Sequence, residues 1–444
     1  MPETSLTYRA IVRAATAAVP LLAFFDAKIR AGHLGRRNAE VALSTWARLL
    51  RDPAKPLAWF HASSVGEGLQ AESVIDALRR VRPTCQFLYT HFSPSAEPLA
   101  RRLSVDASGY APYDLPHDVD ALLDALRPDL LVFSKLDLWP ELATRGARHG
   151  ARVAIVAGTV SAGSGRLRWP ARRLLRPGYA SVVAAGAIAE PDAARLTTLG
   201  VPPSAVRVLG DPRFDSVVSR VGSTRKDDPL LRFGRGAPTL VAGSTWRGDE
   251  AALIQAFAVI TAQRPDARLI IVPHEPTAEH LSRLETRAAG ARLPRPVRLS
   301  QASGPVPFLV VDQVGVLAAL YGSGTMAYVG GGFGRAGLHS VLEPAAWGLP
   351  VAFGPRWQQS RDAELLIEAG AGTPIRDYRG LAAVWEGWLR DETGRAEQGR
   401  RARTMVANGL GAARRSAEML DKLISSQPLR TSPSGGRRAR PSAP

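Results

Sequence analysis

A small cluster of polar residues follows the first apolar run of the chain, Leu57–His61. Ser63, Ser64 and Gly66 open a predicted helix, whose free N–H groups and dipole can hold an anion. Glu67 falls in the first turn, where a carboxylate can act as a general base toward a hydroxyl group. An acidic residue in that turn can also simply cap the helix, and this fragment alone favours the cap.

Two further apolar runs of the first half also end in polar side chains. Gln86–Thr90 leads into hydroxyl residues, for which helix capping is the simplest role. Lys135 and Asp137 come directly after Leu130–Phe133. They either form a salt bridge that orders the loop or contact a phosphate or a reacting hydroxyl. The hydroxyl residues after the second run are Thr90, Ser93 and Ser95, and together with Ser63, Ser64 and Gly66 they are the candidate acceptor-binding residues.

Arg213 ends the first half, in Gly210-Asp-Pro-Arg213. A planar guanidinium suits the charge of a leaving phosphate, and a surface arginine is the alternative. The second half opens with Ala242-Gly-Ser244-Thr245, a strand followed by a small-residue turn and a helix, which is a geometry that binds phosphate. His274 follows the next strand, but no second ligand stands at metal-binding spacing, so no metal is expected.

The block from Tyr328 to Pro350 is rich in glycine and lies between a predicted strand and a predicted helix. Gly332, Gly334 and Gly337 match G-x-G-x-x-G, but no acidic residue follows at the spacing of a dinucleotide site. We therefore interpret the loop as binding a nucleotide monophosphate, with Glu343 bonding ribose hydroxyls.

Short apolar runs alternate with amphipathic stretches throughout the body, which indicates βαβ units and parallel sheets. The predicted fold is α/β with two Rossmann-like lobes facing a cleft, and ligands bind beyond the carboxyl ends of the strands in such sheets. The predicted divisions are an N-terminal segment 1–36, a first domain 37–218, a linker 219–236, a second domain 237–427 and a disordered tail 428–444.

Composition narrows the class of protein. The 444 residues carry a net charge of +17, which favours an acidic partner, although an arginine-rich proteome would have the same effect. Cys85 is the single cysteine, so an intrachain disulfide is excluded. The apolar run Ala14–Phe25 is shorter than the roughly 20 residues that span a bilayer. Basic residues flank it, so we expect a membrane-associating helical segment, with packing on the protein body as the alternative.

Taken together, these loops resemble those of the Kdo (3-deoxy-manno-octulosonic acid) transferases, a family of GT-B glycosyltransferases. The resemblance runs from about Leu57 to Leu423 and rests on Ser-Val-Gly-Glu67, Leu-Trp139-Pro, Ala-Gly-Ser244-Thr and the glycine block through Leu-Glu343-Pro. It implies a CMP-Kdo donor, a phosphorylated lipid A precursor as acceptor, inversion at the anomeric carbon, and no cofactor or metal. It also implies the cytoplasmic face of the inner membrane of a Gram-negative-type bacterium.

The resemblance also implies roles for individual residues. Glu67 matches the catalytic base, and Arg213 stands where a lysine usually stabilises the transition state. Lys135 replaces a common glutamate, and Phe92-Ser-Pro-Ser95 replaces Thr-Pro-Thr-Gly, which we interpret as branch variation. The implied donor-binding residues are Ser244, Thr245, Pro273, His274, Glu275, Val314, Gly315, Val316, Gly331, Gly332, His339, Ser340, Val341, Leu342 and Glu343.

Two other classes of function are weighed against this one. A two-lobed transferase or epimerase that uses a UDP-sugar would share the fold, and protection by UDP rather than CMP would distinguish it. A nucleic-acid-binding protein is suggested by charge alone. The basic cluster at 166–176 has only Trp169 beside it, whereas such proteins interleave aromatic residues along a basic groove, so nucleic acid is not an expected partner.

Overall fold

The computed structural model describes residues 2–334 and 337–425. The chain divides into two compact units, which we call unit 1 and unit 2. Unit 1 contains the chain up to Ser216 and again from Leu410, and unit 2 is Val217–Gly409. Within the described residues each unit has one parallel sheet of seven strands with helices on its faces.

Unit 1 begins with two long helices that pack on each other, α1 (Leu6–Phe25) and α2 (Ala27–Leu49). Asp26 separates them and caps α2, since its carboxylate accepts hydrogen bonds from the backbone N–H groups of Lys28 and Ile29. Among the described residues α1 alone is long and apolar enough to cross a membrane, with a mean hydropathy of 1.4. Residue 36 is not a structural boundary, because α2 continues past it and packs on the body of unit 1.

Four central strands of unit 1 are largely apolar and buried along nearly their whole length, as a parallel sheet covered by helices requires. The strand order of the sheet is β3-β2-β1-β4-β5-β6-β7, so the direction of winding reverses between β1 and β4. The bounds are β1 Leu57–His61, β2 Gln86–His91, β3 Ala107–Tyr110, β4 Leu130–Ser134, β5 Arg152–Gly158, β6 Val182–Ala187, β7 Val206–Val208, α3 Val65–Val81, α4 Glu97–Arg102, α5 Pro116–Leu126, α6 Pro140–Arg148, α7 Ala171–Ala180, α8 Glu190–Leu199 and α9 Pro212–Ser223.

Unit 2 repeats this architecture. Its sheet runs β10-β11-β9-β8-β12-β13-β14, with the reversal between β8 and β12. The bounds are β8 Thr239–Thr245, β9 Arg268–Pro273, β10 Val297–Arg298, β11 Phe308–Val310, β12 Met326–Val329, β13 Val351–Phe353, β14 Gly372–Pro374, α10 Arg247–Gln263, α11 Ala278–Gly290, α12 Leu317–Leu320, α13 Leu342–Trp347, α14 Arg361–Glu368, α15 Tyr378–Arg390 and α16 Glu392–Asn408.

The last helix, α17 (Ala412–Ser425), corrects a predicted boundary. It was assigned to the second domain, 237–427, but it belongs to unit 1. Its apolar face, including Leu420, joins the core cluster beneath the first sheet. Asp215 anchors its first turn by accepting hydrogen bonds from the backbone N–H groups of Gly411 (2.8 Å) and Ala413 (3.0 Å).

The predicted linker 219–236 is also more ordered than expected. Helix α9 extends into it as far as Ser223, and a 3-10 helix forms over Pro229–Gly234. The division between the units falls earlier, after Ser216, inside α9. The predicted disordered tail 428–444 lies outside the described residues.

Candidate active site

Glu67 and Lys135 meet at the reversal point of the first sheet. Glu67 lies in the first turn of α3, after β1, and Lys135 directly follows β4, the neighbour of β1. Lys135 Nζ donates to Glu67 Oε1 at 3.0 Å. The Lys135 backbone lies in the left-handed region, with φ of 63°, and its N–H donates to the carbonyl of Val156. Of the two alternatives left open for Lys135, the structure shows a salt bridge, but with Glu67 of α3 rather than with Asp137.

The other carboxylate oxygen of Glu67, Oε2, is buried and has no hydrogen-bond partner among the described residues. The Glu67 side chain is 13% exposed, and no backbone N–H of α3 donates to it in the described part of the chain. Since buried polar atoms are nearly always hydrogen-bonded, an unpaired carboxylate oxygen at a strand end is typical of a binding or reaction site. The geometry favours the base over the simple cap.

Asp137 lies in the same cluster. Burial raises the pKa of its carboxyl, the charge of Glu67 raises it further, and the Ser63 hydroxyl, Arg166 and Lys135 oppose the shift. Arg166 reaches Asp137 Oδ1 at 3.6 Å. Two carboxyl groups, of Glu67 and Asp137, and two cationic side chains, of Lys135 and Arg166, thus lie at this edge of the sheet. Carboxyl groups with perturbed pKa values cluster at functional sites.

An aromatic wall supports the cluster. The rings of Phe92 and Trp139 stack with centroids 5.0 Å apart, and Trp139 Nε1 donates to His61 Nε2 at 2.9 Å. Arg36 of α2 covers the Phe92 ring at 3.9 Å. Burial lowers the pKa of His61 to about 3, so its ring is neutral. Because its Nε2 accepts, its proton is on Nδ1, which faces Thr90 Oγ1 at 3.0 Å.

The predicted acceptor-binding residues surround this wall with one exception. The backbone N–H of Ser93 donates to the carbonyl of Ser63 at 2.8 Å, and the Ser93 and Ser95 hydroxyls are 2.8 Å apart. Ser64 is the N-cap residue of α3, and a Cβ added at Gly66 would meet only the Ser64 hydroxyl, at 3.9 Å. Thr90 does not face the site: it is fully buried, and its hydroxyl is engaged by Trp59 and His61.

Arg213 is oriented by a residue that the motifs did not indicate. Asp211 binds its guanidinium through Nε (2.8 Å) and Nη2 (2.6 Å). Asp211 also accepts from Gln70 Nε2 at 3.3 Å, and Gln70 lies three residues after Glu67 on α3. Arg213 is therefore not a loose surface side chain, because the carboxylate that holds its guanidinium is itself bonded to the helix that carries Glu67.

In unit 2, three rings come together from the ends of β8, β9 and β12. Trp246 Nε1 donates to His339 Nε2 at 3.0 Å, and the two rings are 10° from parallel. His274 stacks on both, with centroids 4.7 Å from Trp246 and 4.5 Å from His339. Burial, and the neighbouring His274, lower the pKa of His339 to about 4. His274 and His339, both predicted donor-binding residues, therefore lie in contact. Trp246, which the motifs did not indicate, contacts both of them.

The glycine loop after β12 needs its small residues. A Cβ on Gly331 would lie 2.2 Å from the carbonyl of Gly337, and one on Gly332 would lie 2.7 Å from Gly354 Cα. Buried Asp249 ties the loop to α10, since it accepts from the backbone N–H groups of Gly331 and Trp246, both at 2.9 Å. The helix that the sequence predicts after the glycine block begins only at Leu342.

The remaining predicted donor residues divide into exposed and buried ones. In the loop before α12, Val314 is exposed and Gly315 adopts a left-handed conformation (φ 85°) before Val316. In the loop after β9, Pro273 ends the buried strand and Glu275 is exposed. Thr245 is buried and its hydroxyl donates to Glu250 at 3.0 Å. Ser340 is exposed, and Val341 and Leu342 are buried.

Glu343, which is expected to bond ribose hydroxyls, lies in the first turn of α13. Its carboxylate pairs with Arg220 of α9, a residue that the sequence reasoning did not consider. Glu343 Oε1 accepts from Arg220 Nη1, so one of its oxygens is already engaged where ribose hydroxyls were expected. Among residues 2–334 and 337–425, no group of three acidic, histidine or cysteine side chains is arranged to hold a metal ion.

Comparison with known proteins agrees with this geometry. The family model for "3-Deoxy-D-manno-octulosonic-acid transferase (kdotransferase)" matches residues 35–216. A 3-deoxy-D-manno-octulosonic acid transferase of Bordetella pertussis is 29% identical over 394 residues, covering 84% of this chain and 89% of the relative. One of Chlamydophila psittaci is 28% identical over 71% of this chain and 74% of its own length.

The chain is thus similar to Kdo transferases over most of its length. These relatives are named as Kdo transferases, which are enzymes of the glycosyltransferase class. The predicted two-lobed GT-B fold is confirmed by solved structures. A UDP-GlcNAc 2-epimerase from Neisseria meningitidis bound to UDP-GlcNAc superposes with a TM-score of 0.59 at 11% identity, over 84% of this chain and 100% of that one. At that identity the likeness concerns the fold alone.

Proposed function

We propose that this enzyme transfers Kdo from CMP-Kdo to a hydroxyl group of a phosphorylated lipid A precursor, with inversion at the anomeric carbon. The observation that carries the proposal is the Glu67 carboxylate, held by Lys135 through one oxygen and unpaired at the other. Similarity to proteins named as Kdo transferases supports Kdo as the transferred sugar. The CMP leaving group and the acceptor class follow from the resemblance of the sequence motifs.

In the proposed reaction Glu67 Oε2 accepts the proton of the acceptor hydroxyl. The hydroxyl oxygen forms a bond to the anomeric carbon of Kdo, while the bond from that carbon to the CMP phosphate breaks. The electron pair of the broken bond leaves with CMP. Because the oxygen attacks opposite the leaving group in one displacement, the configuration inverts.

The developing phosphate charge needs a cation, and we assign that role to Arg213. Its guanidinium is preorganised by Asp211, which limits the reorganisation needed when charge develops. No metal is part of the proposed step. The donor binds at the strand ends of unit 2, where the three rings and the glycine loop lie.

The helical pair at the N-terminus suits a lipid acceptor. The start of α1 is docked on unit 1, since Tyr8 donates to Asp114 at 2.6 Å and Arg9 pairs with Glu141. Its far end exposes four large apolar side chains. They are Leu21 (67% exposed), Leu22 (48%), Phe24 (75%) and Phe25 (78%). We propose that this end enters the membrane surface on the cytoplasmic face of the inner membrane, with the positive charge of the chain favouring anionic lipid.

The test uses the purified full chain in detergent micelles with CMP-Kdo and a tetra-acylated glucosamine disaccharide bisphosphate. Product masses are compared for the wild type, Glu67→Gln and the matched control Glu418→Gln, which removes an exposed carboxylate of the same unit that pairs with Arg414. We expect a gain of one or more Kdo units for the wild type and the control, and a loss of at least about 100-fold for Glu67→Gln.

Each outcome separates a different part of the proposal. No mass gain by the folded wild-type chain would overturn the Kdo transfer proposed here. Consumption of UDP-GlcNAc with no consumption of CMP-Kdo would favour a UDP-sugar enzyme of the same fold. Full activity of Glu67→Gln would leave the transfer in place and refute Glu67 as its base.

A further inference from the structure

The indole of Trp246 determines which nitrogen of His339 carries the proton. An indole N–H can only donate, so His339 Nε2 must accept and is unprotonated. The imidazole is neutral in the folded chain, as its burial dictates. A neutral imidazole with an unprotonated Nε2 carries its proton on Nδ1.

The surroundings hold the His339 ring in this orientation. Trp246 and His339 are joined by a hydrogen bond with their ring planes 10° from parallel, and the ring of His274 stacks on both. The backbone N–H of His339 donates to the carbonyl of Gly330 at 3.1 Å. A Cβ on Gly331 would come within 3.1 Å of His339 Cδ2, so the glycine leaves the imidazole its space.

The Nδ1–H of His339 has no acceptor among the residues that the structure describes. It lies at the reversal point of the second sheet, between the ends of β8 and β12, where parallel α/β sheets bind ligands. Unit 1 contains a similar tryptophan–histidine hydrogen bond at its own reversal point, since Trp139 Nε1 donates to His61 Nε2. In unit 1, however, the other ring nitrogen of His61, Nδ1, is hydrogen-bonded to the Thr90 hydroxyl.

We propose that Trp246 is a positioning residue that holds His339 in the Nδ1–H tautomer, so that this N–H is offered to a phosphate oxygen of the nucleotide donor. This inference rests on the proposed function for the identity of the ligand, but the tautomer itself does not depend on it. A second tautomer, with the proton on Nε2, would present a lone pair to the phosphate and repel it.

The tautomer is measured directly in the full-length chain labelled with [15N]histidine. Two-bond proton–nitrogen correlations distinguish the two neutral forms, and His339→Gln assigns the signal. In the wild type we expect Nδ1 protonated and Nε2 bare at pH 7. In Trp246→Phe, which keeps an aromatic ring but removes the N–H, we expect His339 to populate both tautomers.

Donor affinity is measured on the same proteins by titration with CMP. We expect Trp246→Phe to weaken CMP binding by about five- to tenfold, the scale of one hydrogen bond. The matched control is Trp388→Phe, which removes an indole N–H bonded to Gln398 at 2.9 Å in the core of unit 2, away from the donor loops. It should change neither the His339 spectrum nor the affinity.

Each result supports the inference or overturns it. An unchanged His339 tautomer in Trp246→Phe would overturn the positioning role. A changed tautomer with unchanged CMP affinity would overturn the phosphate contact. If CMP does not bind the wild type at all, the proposed donor is wrong, and a changed tautomer would still support the positioning role of Trp246.

Discussion

Replacement of Lys135 by methionine tests whether the ion pair with Glu67 prepares the base. Lys135 Nζ lies 3.0 Å from Glu67 Oε1, and the two side chains are 43% and 13% exposed. Methionine keeps much of the side-chain volume and removes the charge. We expect the Glu67 carboxylate to lose its fixed position, because no other donor holds it among the described residues.

The magnitude follows from the geometry of the pair. Two unit charges about 4 Å apart attract by about 4 kcal/mol at an effective dielectric constant of about 20. Solvent reaches nearly half of the Lys135 side chain, so screening and side-chain entropy reduce the net value to about 1–2 kcal/mol. If that energy is expressed in the transition state, kcat/KM falls by about five- to thirtyfold.

The assay is the Kdo transfer reaction with wild type, Lys135→Met, Glu67→Gln and the double variant. Because Lys135 acts through Glu67, the double variant should be no slower than Glu67→Gln alone. The matched control is Lys55→Met, which removes a surface lysine 3.5 Å from Asp52 and should leave the rate unchanged. Full activity of Lys135→Met, or additive losses in the double variant, would refute this reasoning.

Three further predictions concern stability. The raised pKa of Asp137 means that its charge disfavours folding at neutral pH. Asp137→Asn should therefore raise the unfolding temperature at pH 7. The difference in unfolding temperature between variant and wild type should vanish as the pH falls below 3.8, the ordinary pKa of an aspartate. A Cβ on Gly330 would lie 2.3 Å from the Ser244 carbonyl oxygen, so Gly330→Ala should lower the free energy of unfolding, measured with denaturant, by at least about 2 kcal/mol. The control is Gly222→Ala, which places a Cβ in open space on a helix and should be neutral or stabilising. The lowered pKa of His61 means that only the unfolded chain takes up its proton below about pH 6.5. The wild type should therefore lose more stability than His61→Gln between pH 6.5 and 3, and equal losses would contradict the neutral buried ring.

The alternation of strands and helices was predictable because periodicity is a local property of the sequence. The apolar run Leu57–His61 matches β1, and the run Leu130–Phe133 matches β4 except for its last residue. The predicted site residues stand where these strands end, since a polar turn after a buried run is visible in the sequence. The missed strands β3, β7, β10 and β14 have two to four residues each, too few for a periodic signal.

The boundaries of the units were less predictable. Helix α17 is amphipathic, and its pattern shows that one face is buried without showing against what. Its return to unit 1 is decided by contacts such as Arg82–Asp421, between residues more than 300 positions apart. Likewise, α9 continues through the predicted linker because its own helical pattern does not end at the boundary between the units.

By itself, the sequence determined that two parallel α/β sheets form, that Glu67 begins a helix at a strand end, and that the glycine block follows another strand. These are consequences of residue type and short-range spacing. Tertiary structure alone decided that Lys135 pairs with Glu67, that Asp211 holds Arg213, and that Trp246 donates to His339. The physical reason is that strand order and register bring these loops together, and neither is encoded in the spacing of residues along one segment.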